Sequence, residues 1–251
     1  MTVLIVDVGN TRIKWARLEG GRLTRGRAAV HAKWGAADYA RLFGPGRSPG
    51  RAVVASVAGA RVNGALATAA RRAGAAVHFL STPRRAAGVT VGYVEPWRLG
   101  VDRFAAAVGA HELFPSLPVC VVGVGTAMTV DLVGADGRHH GGVIVPAPDL
   151  MVATLLGQTH GIRRRARGGA PGAAGLFARS TRAAIERGAR YAAAALIDRA
   201  VEEASVLVAR EPLVVLTGGG APSVRALLRS SAVGVPDLVL RGLAALARAP
   251  A

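Results

Sequence analysis

Apolar positions along this chain fall into short runs separated by glycine-rich and charged turns. The spacing within each run tells strands from helices. Residues 2–7 are almost continuously apolar, as in a strand covered on both faces. Residues 12–18 partly alternate, with Ile13 and Trp15 on one side, and Glu19-Gly20-Gly21 predicts a hairpin turn into a third strand over 22–30. A short helix is expected over 36–43, ended at Phe43-Gly44-Pro45-Gly46. A strand over 51–57, a helix over 61–72 closed by Gly74, and a strand over 77–80 follow. Residues 99–113 read as an alanine-rich helix stopped before Pro115.

The same order then recurs. Strands are expected over 119–123, 126–133 and 138–145, with Ala135-Asp136-Gly137 as a tight turn, and a helix begins over 150–157. The Arg- and Gly-rich stretch 161–175 predicts a mobile loop. Ser180 or Thr181 caps a long helix running to about 208. A strand over 213–217, a helix over 222–228 and an amphipathic helix over 239–247 complete the chain.

The recurrence is visible in the residues themselves. Val3, Val6, Val8, Gly9, Gly21 and Arg22 reappear without gaps 116 positions later as Val119, Val122, Val124, Gly125, Gly137 and Arg138. The chain therefore reads as two similar α/β domains, 1–116 and 117–251. Three strands followed by alternating helices and strands, twice over, is the plan of the actin/hexokinase/Hsp70-type ATPase fold, which binds ligands in a central cleft between its halves.

Composition narrows the function. The longest apolar runs fall far short of the ~20 residues of a membrane span, and the N-terminus has no signal-like segment. A single cysteine, Cys120, excludes an internal disulfide and reads as a small buried hydrophobe; a cytoplasmic protein is expected. The formal charge of +17 invites a polynucleotide reading. Against it, the positive charge is nearly all arginine, scattered except at Arg163-Arg164-Arg165 and Arg167, in a chain heavy in Ala, Gly and Val. Three Tyr, three Trp and five Phe supply a poor base-stacking platform. A basic surface that attracts anionic small molecules fits better.

The two recurring turns carry the candidate chemistry. In Asp7-Val8-Gly9-Asn10-Thr11, Gly9 lets backbone approach a phosphate, Asn10 and Thr11 offer donors, and Asp7 at the strand end is placed to hold magnesium. Lys14 adds a nearby cation. Read alone, the segment also fits a plain hairpin stabilised by Asp and Asn; the second turn, Gly123-Val124-Gly125-Thr126-Ala127, favours the phosphate reading, with Thr126 as donor. Leu216-Thr217-Gly218-Gly219-Gly220-Ala221 joins a strand to a helix, giving room beside a nucleotide, or simply a flexible connection. Gly100-Val101-Asp102-Arg103 places an Asp–Arg pair at a helix start, where the carboxylate also suits a cap.

The chain resembles the type III pantothenate kinases, the family that includes the Bvg accessory factor proteins. The resemblance rests on Asp7-Val8-Gly9-Asn10-Thr11, Tyr93-x-x-Pro96-x-x-Leu99-Gly100-x-Asp102-Arg103, Gly125-Thr126-Ala127-x-Thr129-x-Asp131, Gly141-Gly142-Val143-Ile144-x-Pro146, Thr181-x-x-Ala184-Ile185-x-x-Gly188 and Leu216-Thr217-Gly218-Gly219, nearly end to end. It implies ATP-dependent phosphorylation of pantothenate to 4'-phosphopantothenate, the first step toward coenzyme A, with Mg2+, by a homodimer. It implies Asp102 as the base that takes the hydroxyl proton. Tyr93, Gly100, Arg103 and Thr181 would hold pantothenate, and Asp7, Gly9, Asn10, Thr11, Lys14, Thr126, Gly218 and Gly219 would hold ATP. Family members commonly carry Asp where this chain has Gly123, beside a monovalent cation (K+ or NH4+), so that dependence is open here. Pro146-Ala147-Pro148 departs from the family's Pro-Gly. A catalytically weak accessory protein retaining the fold is the alternative expectation.

Overall fold

The computed structural model describes residues 2–44, 49–167 and 175–249. It divides by its contacts into two compact units. The first comprises 1–116 together with 133–141 and 237–251; the second comprises 117–132 and 142–236. The break at 116/117 coincides with the sequence repeat, but the hairpin tip 133–141 and the C-terminal segment join the first unit.

The first unit is built on β1 (Val3–Val8), β2 (Arg12–Glu19), β3 (Arg22–Leu23), β4 (Arg27–Val30), β5 (Arg51–Ser56) and β6 (Ala76–Phe79). The sheet order is β3-β2-β1-β5-β6, with β4 also on β2. The single third strand expected over 22–30 is two short ones, both antiparallel to β2. Strand β1 is central, antiparallel to β2 and parallel to β5, and all six of its residues are buried. Its Leu4, Val6 and Val8 enter a core with Tyr39 and Leu42, from and just after α1 (Ala36–Arg41), and with Leu66, Ala69 and Ala70 of α2 (Ala60–Arg72). Residues 45 and 46 of the expected helix end lie outside the described residues.

A two-stranded ribbon, β7 (Arg85–Ala86) with β8 (Val89–Thr90), precedes a 3-10 turn at Pro96–Arg98 and then α3 (Val101–Leu113). The last helix of the chain, Leu238–Arg248, packs on α3 and on β1, β2 and β5. The approach is close: a Cβ on Gly242 would fall 1.7 Å from the Ala105 carbonyl oxygen. Only glycine fits there, and this crossing ties the C-terminus to the first unit.

The second unit repeats the strand order. Strands β9 (Val119–Val124), β10 (Ala127–Val133), β11 (His139–Pro146), β12 (Leu213–Thr217) and β13 (Ala232–Gly234) are arranged β11-β10-β9-β12-β13. With β3 and β4 counted as one split third strand, the order in each unit is third, second, first, fourth, fifth. Helix α4 (Pro148–Gln158) is followed by α5 (His160–Arg165), so the start of the stretch expected to be a mobile loop is helical. Arginine is a good helix former, which favours this turn of helix over a loop. Residues 168–174 of that stretch lie outside the described residues. Helix α6 (Thr181–Leu207) is capped by Ser180, whose Oγ accepts from the Ala183 N–H at 3.3 Å. Its Ala193, Ala194, Ile197, Val201 and Ala204 pack on Cys120, Val122 and Val124 of β9. Helix α7 (Ala221–Arg225) is shorter than expected, and the C-terminal helix is α8 (Leu238–Arg248).

Candidate active site

Alternation along β1 decides where Asp7 points. With Leu4, Val6 and Val8 on the α1/α2 face, Asp7 shares the opposite face with Val3 and Ile5. The register sets it opposite Lys14 on β2, whose Nζ lies 4.0 Å from Asp7 Oδ2. Burial raises the Asp7 carboxyl from 3.8 to about 6; the Lys14 charge opposes this, and the nearby Asp102 charge adds to it. The turn that follows is closed by the Gly9 N–H donating to the Arg12 carbonyl at 2.9 Å. His31 Nε2 lies 2.8 Å from the Gly9 carbonyl oxygen, and Asn10 and Thr11 are exposed.

In the same unit, α3 starts directly after Gly100, with Asp102 in its first turn. Asp102 Oδ1 accepts from the Arg103 N–H at 2.9 Å. A side chain at position 100 would place its Cβ 2.7 Å from that same oxygen, so Gly100 keeps the carboxylate in place. Arg103 is buried and donates to the Tyr93 hydroxyl at 3.1 Å, its guanidinium carbon 5.9 Å from the ring centre. Tyr93 also leans on His139, ring centres 5.8 Å apart. Arg84 donates to the carbonyls of Val91 (3.4 Å), Tyr93 (2.7 Å) and Val94 (2.6 Å). The buried Thr82 hydroxyl donates to the Leu99 carbonyl at 2.8 Å, just before Gly100.

The second unit carries the other two motifs and brings them together. The Gly125 N–H donates to the Ala127 carbonyl at 2.9 Å, closing this turn much as Gly9 and Arg12 close the first. Thr126 is exposed at its tip, and its carbonyl accepts from the Ala147 N–H at 3.2 Å. Gly218 has φ +96° and passes so near Val124 that a Cβ would lie 2.2 Å from the Val124 carbonyl oxygen. That carbonyl accepts from the Gly220 N–H at 3.0 Å. Gly219 borders open space. Beside the glycines lies a cavity of about 260 Å³ lined by Leu216, Thr217, Gly218, Ala221, Arg225 and Pro236, among others.

Each predicted residue is thus placed. Asp7, Gly9, Asn10, Thr11, Lys14, Tyr93, Gly100, Asp102 and Arg103 lie in the first unit; Thr126, Gly218, Gly219 and Thr181 lie in the second. Thr181 is the first residue of α6 and leaves the capping to Ser180. A Cβ at Gly123 would lie 3.0 Å from Thr129 Oγ1, a tight contact that a small shift of that hydroxyl would relieve. Cys120 is buried, its thiol pushed up to about 12 by burial and by the Asp131 charge, which makes it inert. His139 is fully buried. Among the described residues no group of three or more His, Cys, Asp or Glu is arranged to hold a metal. His31, Arg84 and Thr82, which fix the site's backbone, carried no sequence signal, because each acts on backbone carbonyls that no side-chain pattern marks.

Comparison with known proteins identifies the family and the fold. The family model described as type III pantothenate kinase matches residues 3–203. The chain is 37% identical to a type III pantothenate kinase of Nitrosococcus oceani over 98% of this chain and 94% of that one. It is 38% identical to one of Stenotrophomonas maltophilia over 97% and 96%. Among solved structures, a conserved putative Baf family transcriptional activator from Campylobacter jejuni superposes with a TM-score of 0.59 at 17% identity, covering 96% of this chain and 94% of that one. Component A of the (R)-2-hydroxyglutaryl-CoA dehydratase of Acidaminococcus fermentans gives 0.57 at 14%, covering 98% and 96%. A glucokinase from an Antarctic psychrotroph gives 0.50 at 11%, covering 97% and 98%. These likenesses establish the actin/hexokinase-type fold.

Proposed function

The chain belongs to the type III pantothenate kinase family, and from that premise we propose how its residues divide the reaction. It is an ATP-dependent kinase that phosphorylates pantothenate on the path to coenzyme A. Asp102 is the catalytic base: it accepts the proton of the primary hydroxyl as that oxygen bonds to the γ-phosphorus and the bond to the β-phosphate oxygen breaks, releasing ADP. Arg103, fixed by the Tyr93 hydroxyl, offers a guanidinium to the pantothenate carboxylate or to the transferred phosphoryl group. Gly100 and Thr181 complete the acceptor side. The two strand turns hold the phosphates through Gly9, Asn10, Thr11, Lys14 and Thr126. Gly218 and Gly219 admit the nucleotide, with its adenosine end in the cavity beside Thr217. The halves 1–116 and 117–251 correspond to the two ATPase-like domains, with 133–141 and 237–251 joined to the first.

Mg2+ fits Asp7. A buried carboxylate raised to about 6, with the Lys14 ammonium no closer than 4.0 Å, is short of positive charge. Mg2+ characteristically uses one or two carboxylates together with substrate phosphates, so no larger ligand cluster is needed. When bound, the ion supplies charge neutralisation at the phosphates. A monovalent cation has no carboxylate at Gly123, and the turnover we expect is indifferent to K+ or NH4+, with Lys14 supplying positive charge. A homodimer and a cytoplasmic location belong to the same reading, as the family implies. No helix among the described residues is long and apolar enough to cross a membrane. An accessory protein without kinase activity has no observation in its favour.

The observation that carries the assignment is the pinned Asp102 beside the Arg103–Tyr93 pair, close enough for its charge to act on Asp7. Asp102→Asn is expected to lower kcat at least 1,000-fold, on the order of a lost base plus lost orientation, while calorimetry finds ATP binding intact. Turnover near that of the unmodified protein would remove Asp102 from the base role.

A further inference from the structure

His31 is only 5% exposed and takes no part in the chemistry assigned above. It follows β4, whose Val30 pairs with Arg12 at the start of β2, and this pairing carries the imidazole to the first phosphate turn. Two contacts join them: Nε2 at 2.8 Å from the Gly9 carbonyl, and the His31 backbone N–H to the Thr11 carbonyl at 3.3 Å. A carbonyl oxygen only accepts, so Nε2 carries a proton and donates it.

We infer that His31 is a positioning residue for the nucleotide, which aims the Asn10 N–H at the phosphate chain by holding the Gly9 carbonyl. The peptide unit between Gly9 and Asn10 is planar and trans, so its C=O and N–H point in opposite directions. Anchoring the carbonyl on a buried imidazole turns the amide outward, to the side where Asn10 and Thr11 are exposed. No described residue accepts from that amide. The Gly9 N–H, already spent on Arg12, cannot substitute for it. Without the imidazole, rotation of this one peptide unit would present a carbonyl oxygen to the phosphates, replacing attraction by repulsion. The loss would fall on nucleotide affinity. The inference rests on the reading of this turn as a phosphate site.

Three substitutions separate the hydrogen bond from packing. The amide nitrogen of Gln reaches about as far as Nε2, that of Asn stops one bond short, and Leu has no donor. With the full-length protein, KM for ATP, KM for pantothenate, kcat and the Kd of ATP are measured for His31→Gln, His31→Asn and His31→Leu, alongside Thr11→Val. For Asn and Leu, KM and Kd for ATP are expected to rise about tenfold, the loss of one hydrogen bond to the phosphates. Their KM for pantothenate should hold, and Gln should restore ATP binding. Folded Asn and Leu variants with an unaltered KM for ATP would overturn the inference. So would a Gln variant as impaired as Leu, with all three kinetic constants affected together, which is the mark of a packing role. If Thr11→Val weakens ATP binding while the His31 variants do not, only the His31 role fails. If Thr11→Val is also silent, the phosphate reading of the turn fails first.

Discussion

Asp7 shows at the residue scale how function sets itself against stability. Its carboxyl titrates at about 6 in the folded protein, against an ordinary value of 3.8, with burial as the main cause. The native state therefore binds this proton more tightly than the unfolded chain does. Ionisation disfavours folding progressively from about pH 4 to about pH 6, and the penalty is constant above that range. A shift of about two units corresponds to roughly 3 kcal/mol. Asp7→Asn, which keeps the shape and removes the charge, should raise the melting temperature of the ligand-free protein at neutral pH by about 5 °C. It should also abolish turnover with Mg2+-ATP. Scanning calorimetry checks the first and a coupled assay the second; an unchanged or lower melting temperature would mean that the ionised carboxylate is not strained. In the unmodified protein, kcat/KM for ATP should fall below about pH 6, as protonation neutralises the carboxylate proposed to hold Mg2+.

At the scale of elements, the site is held by contacts between segments far apart in their local pattern. Arg84 spans three carbonyls of the segment that presents Tyr93, and Tyr93 in turn fixes Arg103 at the start of α3. Arg84→Ala should raise KM for pantothenate about tenfold, since hydrogen bonds from a charged donor are worth over ~1 kcal/mol. KM for ATP should be little altered; equal effects on both substrates would indicate general loosening instead. The strands themselves were legible in the sequence, because β1, β5, β9 and β12 are short apolar runs bounded by turn residues. The candidate phosphate turns were legible for the same reason, as small residues at strand ends. Arg84 and His31 were not. Each satisfies a carbonyl, every residue has a carbonyl, and no side-chain pattern marks which one is used. The splitting of the third strand into β3 and β4 was equally hidden: both pair with β2, and neither is long enough to show a period.

At the scale of the whole molecule, the gapless repeat at a separation of 116 residues is a repeat of topology. In each unit the strands are ordered third, second, first, fourth, fifth, once β3 and β4 are counted as one split strand. The first strand is central in both, so its C-terminal turn lies at the same place in each sheet. That is where Gly9 to Thr11 and Gly125 to Ala127 occur. The place of the C-terminal helix escaped the sequence for the opposite reason. Its amphipathic pattern announced a buried face but not the partner, and Gly242 meets Ala105 from the far end of the chain. The net charge of +17 fits anionic substrates and needs no polynucleotide partner. The most direct measurement is formation of 4'-phosphopantothenate by the purified protein from pantothenate and Mg2+-ATP, with and without K+ or NH4+. Turnover that depends on both substrates and is unaffected by the monovalent cation is the predicted result. Folded protein that gives no phosphopantothenate under any of these conditions would contradict the account, and turnover only with the monovalent cation would contradict its reading of Gly123.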